Sequence, residues 1–134
     1  GTGWYNDSTG TNVGATLAAI NGLGAAIAGK LLLIAGGVGK GQDFTPLSPA
    51  MAQFGKALLL IGEDGPVIDK SVTADLERHY CMTLDEAIAK ARELAVAGDA
   101  VLLSPACASF DMFKHYEDRG DQFVAGVRRL VEAV

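Results

Sequence analysis

The chain has 134 residues, 49% hydrophobic and 20% charged, with a net charge of −5 at neutral pH. That length fits one compact domain, residues 1–134, and no apolar run approaches the roughly 20 residues that cross a bilayer, so a membrane-embedded class is excluded. No basic cluster exceeds the pair Arg128-Arg129, which argues against nucleic acid as a partner.

Taken in order, Gly1-Thr2-Gly3-Trp4 has neither an initiating Met nor the basic and apolar regions of a signal peptide, as expected of a chain cut from a longer one. Trp4-Tyr5 reads as a brief strand ending in the polar Asn6-Asp7. Thr11 or Asn12 then caps a helix whose Val13, Leu17, Ile20 and Leu23 keep helical spacing, with Gly22, Gly24 and Gly29 loosening its end. Leu31 to Ala35 is a buried strand that runs into a glycine-rich loop, Gly36 to Gly41. Phe44 to Phe54 carries a helical pattern, and Ala57 to Ile61 is another wholly apolar strand. Asp64 to Tyr80 predicts one or two short helices and then a poor strand around His79 to Met82. Thr83-Leu84-Asp85-Glu86 is a capping box, opening a helix with Leu84, Ile88, Ala91 and Ala95 on one face. Ala100 to Leu103 is a short strand buried on both faces. A last helix starts at about Arg119, with Phe123, Val127, Leu130 and Val134 inward and both arginines of the basic pair outward.

Apolar strands alternating with amphipathic helices specify an α/β fold: a mostly parallel sheet with helices on both faces. The loops at the carboxyl ends of the strands, Asn6 to Asn12, Gly36 to Asp43 and Ser104 to Tyr116, then share one rim, where open α/β sheets bind ligands. Past Leu103 the polarity changes at once. Ser104, Cys107, Ser109 and Asp111 lie among alanines, and Phe110, Phe113 and Tyr116 recur at helical spacing, which reads as a strand turning into a helix start. Unpaired N–H groups at such a start suit an anion, a carboxylate being a natural candidate. The alternative is an ordinary turn with small residues for close packing.

Other candidate chemistry is weaker. The loop GGVGKGQD is not a Walker A loop, because Ile34 stands at the first glycine position and Gly41 follows Lys40 where a Mg²⁺-binding hydroxyl is required. It is not G-x-G-x-x-G either. Lys40 is thus a lysine on a flexible loop, either solvated or suited to pairing with a carboxylate as a point charge. Cys107 could be activated by a helix N-terminus, but a packed thiol fits its alanine neighbours better. Cys81 and Cys107 are too few for a disulfide scaffold or zinc site, and His79 and His115 make no metal spacing, so no metal site is expected and a reducing compartment is. Asp7 reads as a turn residue or helix cap.

Two stretches carry a family resemblance. LLSPACASFDMFKHYEDRGDQF, residues 102–123, strongly resembles the C-terminal signature of the Mur ligases, and Asn6-Asp7-Ser8-Thr9-Gly10-Thr11-Asn12 is close to that family's N-D-S-K-[AG]-T-N. The glycine-rich loop falls between them in the matching order. The resemblance covers essentially the whole chain but one of the family's three domains. It implies a three-layer Rossmann-like domain of about six strands, the C-terminal domain of a cytoplasmic, monomeric bacterial ligase in peptidoglycan synthesis, with the UDP-binding and ATPase domains lying outside the chain. The activity implied is ATP- and Mg²⁺-dependent joining of D-glutamate to UDP-N-acetylmuramoyl-L-alanine through an acyl phosphate, and the isolated domain is expected to be inactive. By the same resemblance Thr11, Lys40, Ser109, Phe110 and Tyr116 hold D-glutamate, and Asp7 binds the ribose hydroxyls of ATP. Thr9 departs from the pattern, which has lysine there, and puts the electrostatic part of that mechanism in question. The rival reading is a free-standing α/β module that binds a small anion without catalysis.

Overall fold

Of the 134 residues, the computed structural model describes 2–7, 12–37, 41–104, 106 and 116–132, with the backbone alone for 116, 117 and 130–132. The apolar runs become strands: β1 (Gly3–Asn6), β2 (Leu31–Gly36), β3 (Gly55–Ile61), β4 (Glu77–Tyr80) and β5 (Ala100–Leu103). Between and after them lie helices α1 (Val13–Ala26), α2 (Leu47–Phe54), α3 (Gly65–Ser71), α4 (Leu84–Leu94) and α5 (Tyr116–Glu132). The strands form one parallel sheet in the order β1-β5-β2-β3-β4.

Successive side chains along a strand point to opposite faces, so the unbroken apolar runs of β2, β3 and β5 supply two cores at once. Leu31, Leu33, Leu58, Leu60 and Leu102 pack with Ile20 of α1, Met51 of α2 and Ile68 of α3. Leu32, Ile34, Leu59, Val101 and Leu103 pack with Ile88 of α4 and Phe123 of α5. Each fully withdrawn leucine contributes about 1.5–3 kcal/mol of apolar transfer. The expected α/β architecture with helices on both faces is therefore observed. The sheet has five strands among the described residues rather than about six. Periodicity alone indicates those five; the sixth came from the resemblance.

Several element boundaries differ from the sequence reading. α1 runs through Gly22 and Gly24 to Ala26, because Gly24 is buried where a Cβ would run into the Phe54 ring of α2. Here the glycine permits close helix packing rather than marking an end. α5 begins at Tyr116, before Arg119, which is fully buried. Arg119, Phe123 and Val127 recur every four residues, so the arginine occupies the inner stripe of the helix. β4 lies at Glu77–Tyr80 rather than at the expected His79 to Met82, its register set by pairing with Ala57 to Leu60, and α2 begins at Leu47 rather than Phe44, after the Asp43–Thr45 turn. Both helix caps read from the sequence are present. Asn12 caps α1 by accepting from the Ala15 N–H at 2.9 Å. Thr83 caps α4 by accepting from Glu86 N–H at 3.1 Å, while Glu86 reaches back to the Met82 N–H at 2.6 Å.

At the amino ends of the strands, Asp99 closes the opposite side of the sheet. Its carboxylate, nearly inaccessible to solvent, accepts from Lys30 N–H at 2.9 Å and Val96 N–H at 3.0 Å and pairs with Lys56 Nζ at 2.8 Å. Burial alone would raise the Asp99 pKa, but these donors outweigh it and hold the carboxyl below its usual range. A carboxyl with a folded pKa below its unfolded value adds stability above that unfolded value, about 4, and loses it as pH falls through the folded value.

Two outcomes follow from this packing. Gly→Ala within a helix ordinarily stabilises by about 0.5–1 kcal/mol, whereas Gly24→Ala should destabilise by about 1–3 kcal/mol through overlap with Phe54, read by urea denaturation. Asp99→Asn should cost about 1.5–3 kcal/mol at neutral pH. The gap between parent and variant should shrink below about pH 4, and a gap independent of pH would show that the ionised form contributes nothing.

Candidate functional site

The hydrogen-bond ladder runs past the last residue of two neighbouring strands. Asp7 N–H donates to Leu103 O at 2.7 Å beyond β1, and Ser104 N–H donates to Ile34 O at 3.3 Å beyond β5. Asp7 and Ser104 are thereby set side by side at the carboxyl-end rim. Ser104 continues the alternation of Ala100 and Leu102, which face α1, so its side chain enters the layer between sheet and helix. Thr16 of α1 meets it there. Ser104 Oγ lies 2.8 Å from Asp7 Oδ2 and 2.9 Å from Thr16 Oγ1, and the Thr16 hydroxyl is 3.2 Å from Ser104 O. Both hydroxyl residues are fully buried. A hydroxyl donating to a carboxylate makes a short, charge-assisted bond, so this pair fixes the rotamer of Asp7 from below.

β2 leaves the sheet through Gly36, whose φ of 139° lies in the region that favours glycine and where a Cβ would run into the Ile61 carbonyl. The neighbouring Gly37 carbonyl accepts from Asp64 N–H at 2.9 Å, tying this loop to the end of β3. The loop returns through Gly41, with φ of 74°, to Gln42. Asp43 then accepts from the Thr45 hydroxyl at 2.7 Å and its N–H at 3.0 Å, which hold its carboxyl below the usual range. Phe44 sinks into the core and anchors the loop.

Gln42 spans the rim. Its Oε1 accepts from Val13 N–H, at the start of α1, at 2.9 Å, and its Nε2 donates to Ala106 O at 3.0 Å. Ala106 follows β5 and is buried with a positive φ of 65°. The loops after β1, β2 and β5, expected from the sequence to share a rim, are thus brought together through their described residues.

Among the site residues expected from sequence, Asp7 stands on this rim. Thr11, Lys40, Ser109 and Phe110 lie outside the described residues, as do Thr9, Cys107 and His115, and Tyr116 is described as the first residue of α5 by its backbone alone. The turn and helix start expected at Cys107 to His115 also lie outside them. His79 sits on β4 with its Nε2 3.0 Å from Glu77 Oε2. Cys81 is a buried free thiol whose pKa is pushed up by burial and then by Glu86, which makes it unreactive. Among the described residues no group of three or more His, Cys, Asp or Glu could hold a metal ion, and no helix is long and apolar enough to cross a membrane. A cleft of about 240 Å³ opens on the other face of β1, between Trp4, Asn6, Phe123 and Arg128.

Sequence reasoning assigned no role to Ser104, Thr16 or Gln42. Two of these carried a signal. Ser104 falls two residues beyond Leu102 on a buried face, and Thr16 falls three after Val13 and four before Ile20 on the inner stripe of α1, so each is a polar residue at a core position. Gln42 carried none, since a glutamine in a glycine-rich loop reads as solvated.

Residues 1–107 match the family described as Mur ligase, glutamate ligase domain. Three curated relatives, each named UDP-N-acetylmuramoylalanine--D-glutamate ligase, are similar over nearly the whole chain. That of Hahella chejuensis is 54% identical over 130 residues, covering 97% of this chain and 29% of the relative. The one from Acinetobacter baylyi is 56% identical over 131 residues, covering 96% and 29%. The Marinobacter nauticus protein is 53% identical over 134 residues, covering 100% and 29%. The chain therefore spans less than a third of the length of these relatives.

The buried hydroxyl pair makes a specific demand on stability. Ser104→Ala and Thr16→Val should each cost about 1–2 kcal/mol in urea denaturation, because each leaves a buried polar partner unsatisfied. The double variant should cost less than the sum, since the second change removes a group already stripped of its partner. Fully additive costs would mean that the two hydroxyls act independently.

Proposed function

From the premise that this chain belongs to the Mur ligase family as a glutamate ligase domain, we propose that it is the C-terminal, D-glutamate-binding domain of a cytoplasmic bacterial ligase that joins D-glutamate to UDP-N-acetylmuramoyl-L-alanine in peptidoglycan synthesis. The observation that carries this reading is the convergence of the ends of β1, β5 and β2 on one rim, with the Asp7 carboxylate fixed there by Ser104. The relatives carry the name of that ligase and are about three times as long, in keeping with UDP-binding and ATPase domains elsewhere in the whole enzyme.

ATP is a substrate of that reaction. It transfers its terminal phosphoryl group to the alanyl carboxylate, giving ADP and an acyl phosphate. The amine of D-glutamate then attacks the acyl carbon: a C–N bond forms, the C–O bond to phosphate breaks, and inorganic phosphate and one proton leave. The ATPase domain supplies the Mg²⁺ and most ATP contacts. This domain holds the incoming amino acid and closes over the nucleotide, converting a three-body encounter into an oriented one. Asp7, a carboxylate fixed at a strand end, suits a vicinal diol such as the ribose hydroxyls of ATP. Thr11, Ser109, Phe110 and Tyr116 hold D-glutamate through hydroxyls, backbone N–H groups and a ring packed over the ligand. Lys40 pairs with a D-glutamate carboxylate. Because Thr9 stands where the family pattern has lysine, Lys40 carries a larger share of the positive potential near the acidic substrate.

Lys40→Ala in the full-length ligase tests the assignment. An ion pair desolvated by domain closure is worth about 2–4 kcal/mol, so kcat/KM for D-glutamate should fall roughly 30- to 1000-fold, with KM for the UDP-sugar substrate unchanged. An unaltered kcat/KM would return Lys40 to the solvated alternative.

A further inference from the structure

Gln42 ties two distant backbone segments of the rim to a third. It reaches 29 residues back to Val13 N–H and 64 residues forward to Ala106 O, and it is half-buried between them. Neither bond is a local loop contact. Both are made by a single planar amide, whose acceptor and donor ends lie on opposite sides of one carbon, so the two partners cannot move apart without breaking a bond.

Each partner is a backbone group that would otherwise need another bond. Val13 is the first residue of α1, and its N–H has no partner within the helix. Ala106 holds a left-handed conformation that disfavours a non-glycine residue, and it is fully buried. Such a conformation persists only where its surroundings over-determine it. The Gln42 amide, bonded to the Ala106 carbonyl, is one of the groups that does so. Gln42 is held in turn by Phe44, two residues on and buried in the core, and by the Asp43–Thr45 turn.

We propose that Gln42 is a positioning residue for the amino-acid substrate, setting the spacing of the three loops after β1, β2 and β5 without touching the ligand. This rests on the reading of the rim as the D-glutamate site. Along the chain Thr11 is two residues from Val13, Lys40 two residues from Gln42, and Ser109 three residues from Ala106. One amide therefore ties together Val13, Gln42 and Ala106, the described residues nearest in sequence to three of the proposed D-glutamate contacts. Loss of that register should weaken binding of the ligand that all three loops must grip together, and should spare a substrate bound elsewhere in the enzyme.

Gln42→Met, of similar length but unable to make either bond, and Gln42→Asn, too short to span both partners, test this in the full-length ligase beside Lys40→Ala. For Gln42→Met, KM for D-glutamate should rise roughly 5- to 20-fold, in line with the cost of a small misplacement of binding groups. KM for the UDP-sugar substrate should stay within about 2-fold. Hydrogen–deuterium exchange of the segment opening α1 should quicken as Val13 N–H loses its acceptor. Gln42→Asn should shift the same quantities in the same direction. A D-glutamate KM unmoved by either Gln42 variant while Lys40→Ala is impaired overturns the positioning role and leaves the site reading standing. If Lys40→Ala is also unimpaired, the site reading fails and the positioning role goes with it. A parallel rise in KM for both substrates together with a lowered Tm assigns Gln42 a purely structural part and likewise overturns the proposal.

Discussion

The rim depends on one topological constraint: the last strand enters the sheet between the first two. β1 and β2 are joined by α1 but are not neighbours, since β5 pairs with both, Leu102 lying opposite Tyr5 on one side and Leu33 on the other. Only a strand apolar on both faces can occupy that slot, because helices cover each side of the sheet there. Ala100 to Leu103 meets the requirement with four buried residues. With the slot filled, three chain segments far apart in sequence emerge together at the carboxyl end, the side on which open α/β sheets bind ligands.

The sheet was legible in the sequence because its central strands are short, unbroken apolar runs, a pattern with few other solutions when flanked by Gly98-Asp99 and Ser104-Pro105. β4 was harder to place: Glu77-Arg78-His79-Tyr80 is a charged edge strand. Its register is set by pairing with Ala57 to Leu60 and by Arg78, whose guanidinium bonds Asp69 and the carbonyls of Val72 and Ala74. Local sequence carries no trace of such contacts. Gly24 misled for a related reason. Its local meaning, a weak point in a helix, was overridden by a ring arriving from α2.

The site was legible in part, for the same physical reason. Asp7 could be put on the rim because it follows a strand, and Ser104 and Thr16 could have been added as polar residues at positions where the periodicity requires burial. Gln42 could not. Its partners are a helix N–H and a loop carbonyl fixed by the fold and not by any residue type, so any side chain able to reach would have looked equally plausible. Motif reasoning bears on the loop after β2 only by argument: Ile34 at the first glycine position of a would-be Walker loop speaks against that motif there, since the motif needs glycine for the backbone to wrap the phosphates.

The two ends of the sheet use the same residue type in opposite ways. Asp99, at the amino ends, is surrounded by donors that include the full charge of Lys56, so the pair is nearly self-neutralising and its stabilisation is internal to the fold. Asp7, at the carboxyl ends, is oriented by Ser104, a hydroxyl that brings no charge and is itself backed by Thr16. A neutral hydroxyl fixes the direction of a carboxylate by hydrogen-bond geometry alone, whereas Lys56 adds a full opposite charge to Asp99. The same residue type is thus held by charge pairing at one end of the sheet and by a buried chain of hydroxyls at the other.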